Sequence, residues 1–360
     1  MARATNLFSN TLLYYTMKRI FFLALSLAAA VGVYAQESDE AIANAYPGYE
    51  LIFHDEFNYS GVPKSEYWGY DQGHRNNEAQ GYTINRKNAN VKDGNLVISA
   101  YKENTTVNGK SYQYSSASLV SKVKQDPSQN RAGWKYVRIE VRAKIPCALG
   151  NWPAIWMLGA DPSWIAWPYS GEVDIMEYYP VNGKEAIHAN ACWGDSWSQW
   201  GQKWNSKVKY VSDLVKKDKD WRNKYHVWRC DWDHDYIKIY CDNELLNSIR
   251  VSDAQESHVW WGDGGNMEKN YNPFRDQPMY LLINLALGGN NGGSLDNFKS
   301  PQRYYIDYVR VYSKTSSTGI KSLAADKKQD PYFYALDGSR SVYPHNKGVY
   351  IYQGKKVVIR

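Results

Sequence analysis

The chain reads as an all-β protein: a β-jelly-roll sandwich of two antiparallel sheets with a concave substrate cleft, followed by a small C-terminal β tail. Three observations predict it. From about residue 48 to 313, short β-type runs alternate with Gly, Asn and Asp turn signals. Examples are Asn95–Ala100 after Asp93-Gly94, Tyr136–Lys144, Tyr236–Tyr240 before Asp242-Asn243, and Tyr304–Tyr312. No long amphipathic helix competes, and Val211–Lys217 has room for only a short one. Aromatic residues make up 15% of the 360, with 15 Trp and 31 Tyr, so indole surface exceeds what a core requires and is expected to serve both the core and a cleft.

Residues 1–35 are read as an upstream extension and signal peptide. Met17-Lys18-Arg19 is followed by an apolar run from Ile20 to Val33, and small residues Val33 and Ala35 precede Gln36 at the positions a signal peptidase prefers. The run is too short for a comfortable membrane span, and no Cys follows it to take a lipid. A secreted, periplasmic or cell-surface location is therefore expected, with no integral membrane span. Residues 36–47 are polar and read as a loose lead-in. Residues 48–313 form the main domain. Residues 314–330, rich in Ser, Thr, Lys and Asp, read as a linker. Residues 331–360 carry three short β runs with glycine turns, Tyr332–Gly338, Lys347–Tyr352 and Gly354–Ile359. This segment resembles the C-terminal sorting tails of secreted Bacteroidota proteins.

The formal charge is +6, concentrated in the leader and the tail. No basic stripe with helical or strand spacing stands out, which argues against nucleic acid as a partner. Cys147, Cys192, Cys230 and Cys241 can pair in three ways or remain thiols. A short Cys230–Cys241 bridge requires the two to face each other across a hairpin at Asp233-His234-Asp235. Their spacing fits no zinc pattern.

The most informative segment is Gly171-Glu172-Val173-Asp174-Ile175-Met176-Glu177-Tyr178. Its apolar residues suit a half-buried strand. Residues two apart share a face, so Glu172 and Asp174 point the same way and Glu177 should point away. One extra residue in a β-bulge, at Ile175 or Met176, returns Glu177 to that face. Three acids then crowd together, and at least one pKa must rise. That is how a carboxylate pair is prepared to act as nucleophile and general acid. Four strand steps span about 13 Å, and side chains leaning inward bring the two Glu carboxyls to about 5–7 Å, near the retaining range.

With these residues in view, the chain resembles glycoside hydrolase family 16 over about residues 48–313, in the laminarinase-like form that carries the bulged acidic run. The likeness includes Phe53-His54-Asp55-Glu56-Phe57, Asn76-Asn77-Glu78-Ala79-Gln80, Asp93–Ile98, Trp152–Gly159 and Ile306–Tyr312. The resemblance implies that Glu172 is the nucleophile, Glu177 the acid/base, and Asp174 the residue that tunes their protonation. It places Trp156 and Trp167 on sugars at the negative subsites, with Asn76 and Glu78 lining the same side and Trp152 nearby. Gln277 precedes a strand beside the catalytic one. His188 lies on the following strand, where laminarinase-like members carry two His four residues apart; Cys192 stands at the second place here. Trp193 begins a Trp-rich segment, continuing through Trp197, Trp200 and Trp204, that reads as a long loop walling the groove. Glu56, the Gly94 carbonyl and Asp307 match the ligands of a structural Ca²⁺, an ion suited to oxygen donors; no cofactor is expected for catalysis.

The expected function is a secreted, monomeric, retaining endo-β-glycanase acting on a polysaccharide, either β-1,3-glucan (laminarin) or mixed-linkage β-glucan. Two alternatives are an endo-β-1,4-galactosidase acting on mucin O-glycan or keratan-type chains, and a non-catalytic carbohydrate-binding jelly roll.

Overall fold

The computed structural model describes residues 37–122, 133–160, 167–194, 201–254 and 271–315, and 332–335, 340–341, 348–352 and 355–359 of the C-terminal segment. The expected leader, nearly all of the linker, and Trp164, Trp197 and Trp200 lie outside the described residues. The chain divides into two units, Met1–Lys314 and Thr315–Arg360.

In the first unit the strands are β1 (Tyr49–Asp55), β2 (Trp68–Tyr70), β3 (Gln80–Tyr82), β4 (Ala89–Lys92), β5 (Asn95–Val107), β6 (Lys110–Ser116), β7 (Ser118–Ser121), β8 (Val137–Lys144) and β9 (Asn151–Gly159). They continue as β10 (Glu172–Val181), β11 (Lys184–Gly194), β12 (Gln202–Tyr210), β13 (His226–Trp232), β14 (Tyr236–Cys241), β15 (Glu244–Arg250), β16 (Met279–Leu287) and β17 (Gln302–Lys314). The front sheet runs β12-β11-β10-β9-β16-β7-β2. The back sheet runs β15-β14-β13-β8-β17-β5-β6-β3, with β1 on β17 and β4 on β5. All pairings but β3 with β6 are antiparallel, as a jelly roll requires.

Alternation along each strand builds the core. In β13, His226, Trp228, Cys230 and Trp232 are buried while the residues between them are not; in β14 the inward set is Ile237, Ile239 and Cys241. These meet Val173, Ile175, Met176 and Tyr178 of β10 and Leu281, Ile283, Leu285 and Leu287 of β16 in one apolar layer between the sheets. β16 is buried on both faces. Its outward residues Tyr280 and Leu282 pack with Trp156 and Leu158, and Ala286 packs with Trp152.

One expectation is corrected: residues 37–47 are not a loose lead-in. Ser38 caps a short helix, α1 (Asp39–Ala43), whose Ile42 is fully buried. Around α1, the Tyr46 hydroxyl donates to Glu140 and the Arg310 guanidinium to Glu37, fastening this segment to the back sheet. Of the alternatives open for the cysteines, the thiols hold and Cys230 and Cys241 do not bridge. Register sets Cys230 against Ile239 and Trp228 against Cys241, so the thiols are offset, and all four Cys are free. Val211–Lys217 is helical as expected and becomes α2. In the C-terminal unit four strands, β18 (Phe333–Ala335), β19 (Arg340–Ser341), β20 (Gly348–Tyr352) and β21 (Lys355–Ile359), order as β19-β18-β20-β21, one more than the sequence suggested. No helix among the described residues is long and apolar enough to cross a membrane.

At the end of β1, buried Asp55 accepts from the Phe57 amide (3.0 Å), the Tyr59 hydroxyl (3.0 Å) and the Trp68 indole (2.9 Å). Asp55→Ala leaves the Trp68 N–H and the Phe57 amide without this acceptor inside the core. Stability should fall by about 3 kcal/mol, read as a lower urea midpoint; an unchanged midpoint would show that water replaces the carboxylate.

Candidate active site

The three acids share one face of β10 because the strand carries one residue too many. Against β9, Asp174 faces Trp156 but Met176 faces Ile155, leaving Ile175 unmatched. Against β11, Asp174 faces Asn190 and Glu177 faces His188, three steps matched by two. Ile175 and Met176 therefore both enter the core, at 0% exposure, and Glu177 swings to the side of Glu172 and Asp174. The Asn190 side-chain amide makes the arrangement explicit: it donates to Asp174 Oδ2 (3.0 Å) and also reaches Glu177 Oε2 (3.4 Å).

Glu172 and Glu177 form part of the floor of a cavity of about 620 Å³, within the range of ligand sites. Each is held by an indole: Trp167 Nε1 donates to Glu172 Oε2 (2.6 Å) and Trp152 Nε1 to Glu177 Oε1 (2.8 Å). Asp174 is almost fully buried, and its Oδ1 has no hydrogen-bond partner. Burial, then the charge of Glu177, raises the Glu172 pKa to about 7. Asp174 and Glu177 are pushed well above the carboxylate range, by burial first and then by the charge of Glu172 and of Asp174 respectively. Glu172 thus ionises most readily and Glu177 keeps its proton. Environments that split neighbouring carboxyls in this way assign base and acid.

Lining residues come from five adjacent strands of the front sheet, β12 to β16 in spatial order, and from three segments between strands, at residues 75–78, 167 and 290–291. Beyond β16, Asn76 and Asn77 adopt left-handed backbone (φ 45° and 56°), which Asn tolerates better than most residues. The loop they form lines the cleft. Asn77 donates to Asn290 Oδ1 (2.9 Å), and the Asn290 amide donates to the Asn76 carbonyl (2.9 Å). Gly289 (φ +67°) is required between them, because a Cβ there would lie 2.8 Å from the Asn76 carbonyl oxygen. Residues 289–292 make one helical turn. Buried Glu78 accepts from the Arg75 amide (3.2 Å) and Gln80 Nε2 (2.7 Å), and burial raises its pKa. Trp156 donates to Asn284 Oδ1 (2.7 Å) and lies under the Arg75 guanidinium (5.0 Å to the ring centre), which pairs with Asp71.

Of the residues singled out from sequence, Glu172, Glu177, Asn76, Glu78, Trp152, Trp156 and Trp167 line this cleft. Three do not. Trp193 follows Cys192, which pairs with Glu172, so strand alternation turns its indole into the core, where it meets Phe274 edge-on at 2% exposure. His188 faces the cleft side but is stacked beneath Tyr179 at 3.5 Å, and burial lowers its pKa to about 4. Tyr179, not His188, reaches the cavity. Gln277 is buried behind the Ser170 carbonyl, to which it donates (2.5 Å). The segment from Trp193 to Trp204 is not wholly a loop: β12 carries Gln202, Trp204 and Ser206 into the cavity. Arg75, Tyr179, Asn190 and Asn284 also line it and were not singled out. For Asn190 a signal existed, since its pairing partner Asp174 was already identified.

Of the expected calcium positions, Glu56 is gripped by Arg310 through both oxygens (2.9 and 2.8 Å), which leaves it poorly suited to an ion, while Asp307 meets Arg142 through Oδ2 alone (2.5 Å). Among the described residues, His226, Cys241 and Asp242 have ligand-like spacing. There Asp242 already pairs with His226 Nδ1 and accepts from the Val227 amide, capping the β14–β15 turn.

A family model described as Glycosyl hydrolases family 16 matches residues 76–310. The "Beta-glucanase" of Rhodothermus marinus is 33% identical over 307 residues, covering 82% of this chain and 94% of that protein. The crystal structure of LamAcat from Zobellia galactanivorans superposes with a TM-score of 0.58 at 30% identity, covering 73% of this chain and 97% of that one. The "Keratan-sulfate endo-1,4-beta-galactosidase" of Sphingobacterium multivorum is 30% identical over 267 residues, covering 73% of this chain and 55% of that protein.

Because Glu177 has a raised pKa in the folded chain, folding takes up a proton between the unfolded carboxyl value of about 4.3 and the folded value, and stability falls as pH rises through that window. Glu177→Gln, neutral throughout, should unfold at a higher temperature than the parent at pH 8. The gain should vanish near pH 4. A variant equally stable or less stable at pH 8 would mean that Glu177 is not held protonated.

Proposed function

The chain belongs to glycosyl hydrolases family 16 and is a glycoside hydrolase; from that and the geometry of its acids we propose a retaining, endo-acting β-glucanase that works by double displacement. The supporting observation is the separation of roles within one buried trio. Ionised Glu172 attacks the anomeric carbon while Glu177 donates its proton to the glycosidic oxygen, so the C–O bond to the leaving sugar breaks as the bond to Glu172 forms. Water then enters, Glu177 takes its proton, the hydroxyl attacks the anomeric carbon and Glu172 is released. In the first step Glu172 loses its charge as Glu177 gains one. The net charge of the floor is constant; it shifts from one end of the trio to the other, past the buried Asp174. Trp167, Trp152 and Asn190 hold the acids for this exchange and need not move.

Endo action is supported by the breadth of the cleft. Four strand spacings cover about 19 Å, and the acids lie on the middle strand of the five, leaving room for sugar on both sides of the bond cut. We propose β-1,3-glucan as the substrate, with mixed-linkage glucan within reach, on the strength of the glucanase relatives. An endo-β-1,4-galactosidase is the second reading, favoured by the galactosidase relative and by Cys192, opposite Glu172, where laminarinase-like members carry a His. A binding-only jelly roll leaves the raised pKa values of the acids without a purpose. The signal-like leader supports export.

Glu172→Gln should abolish turnover while sugar binding and fold persist; full activity in that variant would refute the nucleophile assignment. Activity of the parent should rise as pH rises through about 7, when Glu172 ionises, and fall again when Glu177 loses its proton. NMR of the first product should show the β anomer; an initial α anomer would exclude double displacement. Reducing-sugar release from laminarin, barley glucan and mucin glycans, compared side by side, decides the substrate.

A further inference from the structure

We propose that Trp204, with Gln202 and Ser206 on the edge strand β12, is the wall of the cleft that holds the leaving-group side of the substrate. The proposal rests on the hydrolase reading above and adds to it which side chains receive the departing sugar. β12 is one edge of the front sheet. Register runs Trp204 to Cys192 to Glu172 straight across the strands, and paired residues point to the same face. Trp204 therefore stands two strands, about 10 Å, from the nucleophile and on its side of the sheet. It is 42% exposed and contributes to the cavity lining.

The indole is positioned rather than loose. Its N–H donates to Gln202 Oε1 (2.6 Å), which fixes the ring against the strand. The strand is tied down in turn: buried Asn247 on β15 donates to the Asn205 carbonyl (3.3 Å), to Asn205 Oδ1 (3.1 Å) and to the Ala189 carbonyl (2.8 Å). The opposite face of β12 carries Lys203, Lys207 and Lys209, the kind of charge that protects a sheet edge from pairing with another chain. An exposed indole adds nothing to that protection, whereas a flat apolar face beside the acids suits the C–H face of a sugar ring.

The two sides of the catalytic strand differ in a way that assigns them. Toward β16 the wall is dense and convergent: Trp156 donates to Asn284 and lies under Arg75, the Arg75 amide donates to Glu78, and the Asn76 carbonyl accepts from the Asn290 amide. In double displacement the sugar bonded to Glu172 must stay in place through both steps, which suits that wall. The other portion must leave and be replaced by water, which suits an exposed platform with few polar contacts.

The test compares Trp204→Ala with the parent on two substrates: the polymer the parent cleaves best among laminarin, barley glucan and mucin glycans, and the β-glycosyl fluoride of that polymer's repeating disaccharide, whose leaving group is a single atom. On the polymer kcat/KM should fall about tenfold. On the glycosyl fluoride it should stay within about twofold of the parent, because fluoride does not reach the indole. Trp204→Phe should recover most of the polymer activity, and Lys203→Ala, on the other face, should change neither rate. Equal losses on both substrates, or no loss on the polymer, would overturn the assignment. An inactive Glu172→Gln paired with an unaffected Trp204→Ala would sink this inference alone and leave the hydrolase reading standing.

Discussion

The whole site depends on one unmatched residue in β10. Without Ile175 as an extra step, strand alternation would send Glu177 into the apolar layer and bring an apolar neighbour out. With it, three carboxyls occupy one face over a floor made of hydrocarbon and two indoles. Their mutual repulsion is part of the design, because desolvation combined with neighbouring charge raises all three pKa values and separates the acid from the base. The cost is met by the sandwich around them, whose core places Val173, Ile175, Met176 and Tyr178 directly beneath.

The surrounding hydrogen bonds follow the same logic. Donors to the trio are neutral, two indoles and one amide. A cation in direct contact would stabilise the ionised forms and pull the pKa values down, erasing the protonated acid. Arg75, the cation on this rim, is paired to Asp71 and stacked over Trp156, where it lowers Glu172 only as a minor influence behind burial and Glu177.

Much of this was readable in the sequence because it is local. The acidic run, its bulge at Ile175 or Met176, the sandwich class and most cleft Trp residues depend on spacing within a few positions. Four of the ten described Trp, at 152, 156, 167 and 204, line the cleft, so indole serves both the core and the cleft. The errors arose where parity or distance decides. Trp193 is one residue away from a cleft position and so faces the core. His188 is on the right face but lies under Tyr179, whose ring is placed by the strand pairing. Arg75 and Asn284 meet Trp156 from segments far away in sequence, and nothing near them announces that meeting. The pairing of Glu56 with Arg310 likewise joins residues 254 positions apart and has no local signal.

The tie between the Asn76–Asn77 turn and Asn290 spans 213 positions of sequence, and it bears on when the enzyme becomes competent. A chain emerging from the ribosome has made every catalytic acid by residue 177, yet one rim of its groove waits for β16 and the turn at Gly289 to arrive. Contacts of such long range form late in folding. A nascent or truncated chain ending before that turn therefore carries its acids without the rim that encloses them, so glycan-cutting ability appears only once nearly the whole catalytic unit has been synthesised.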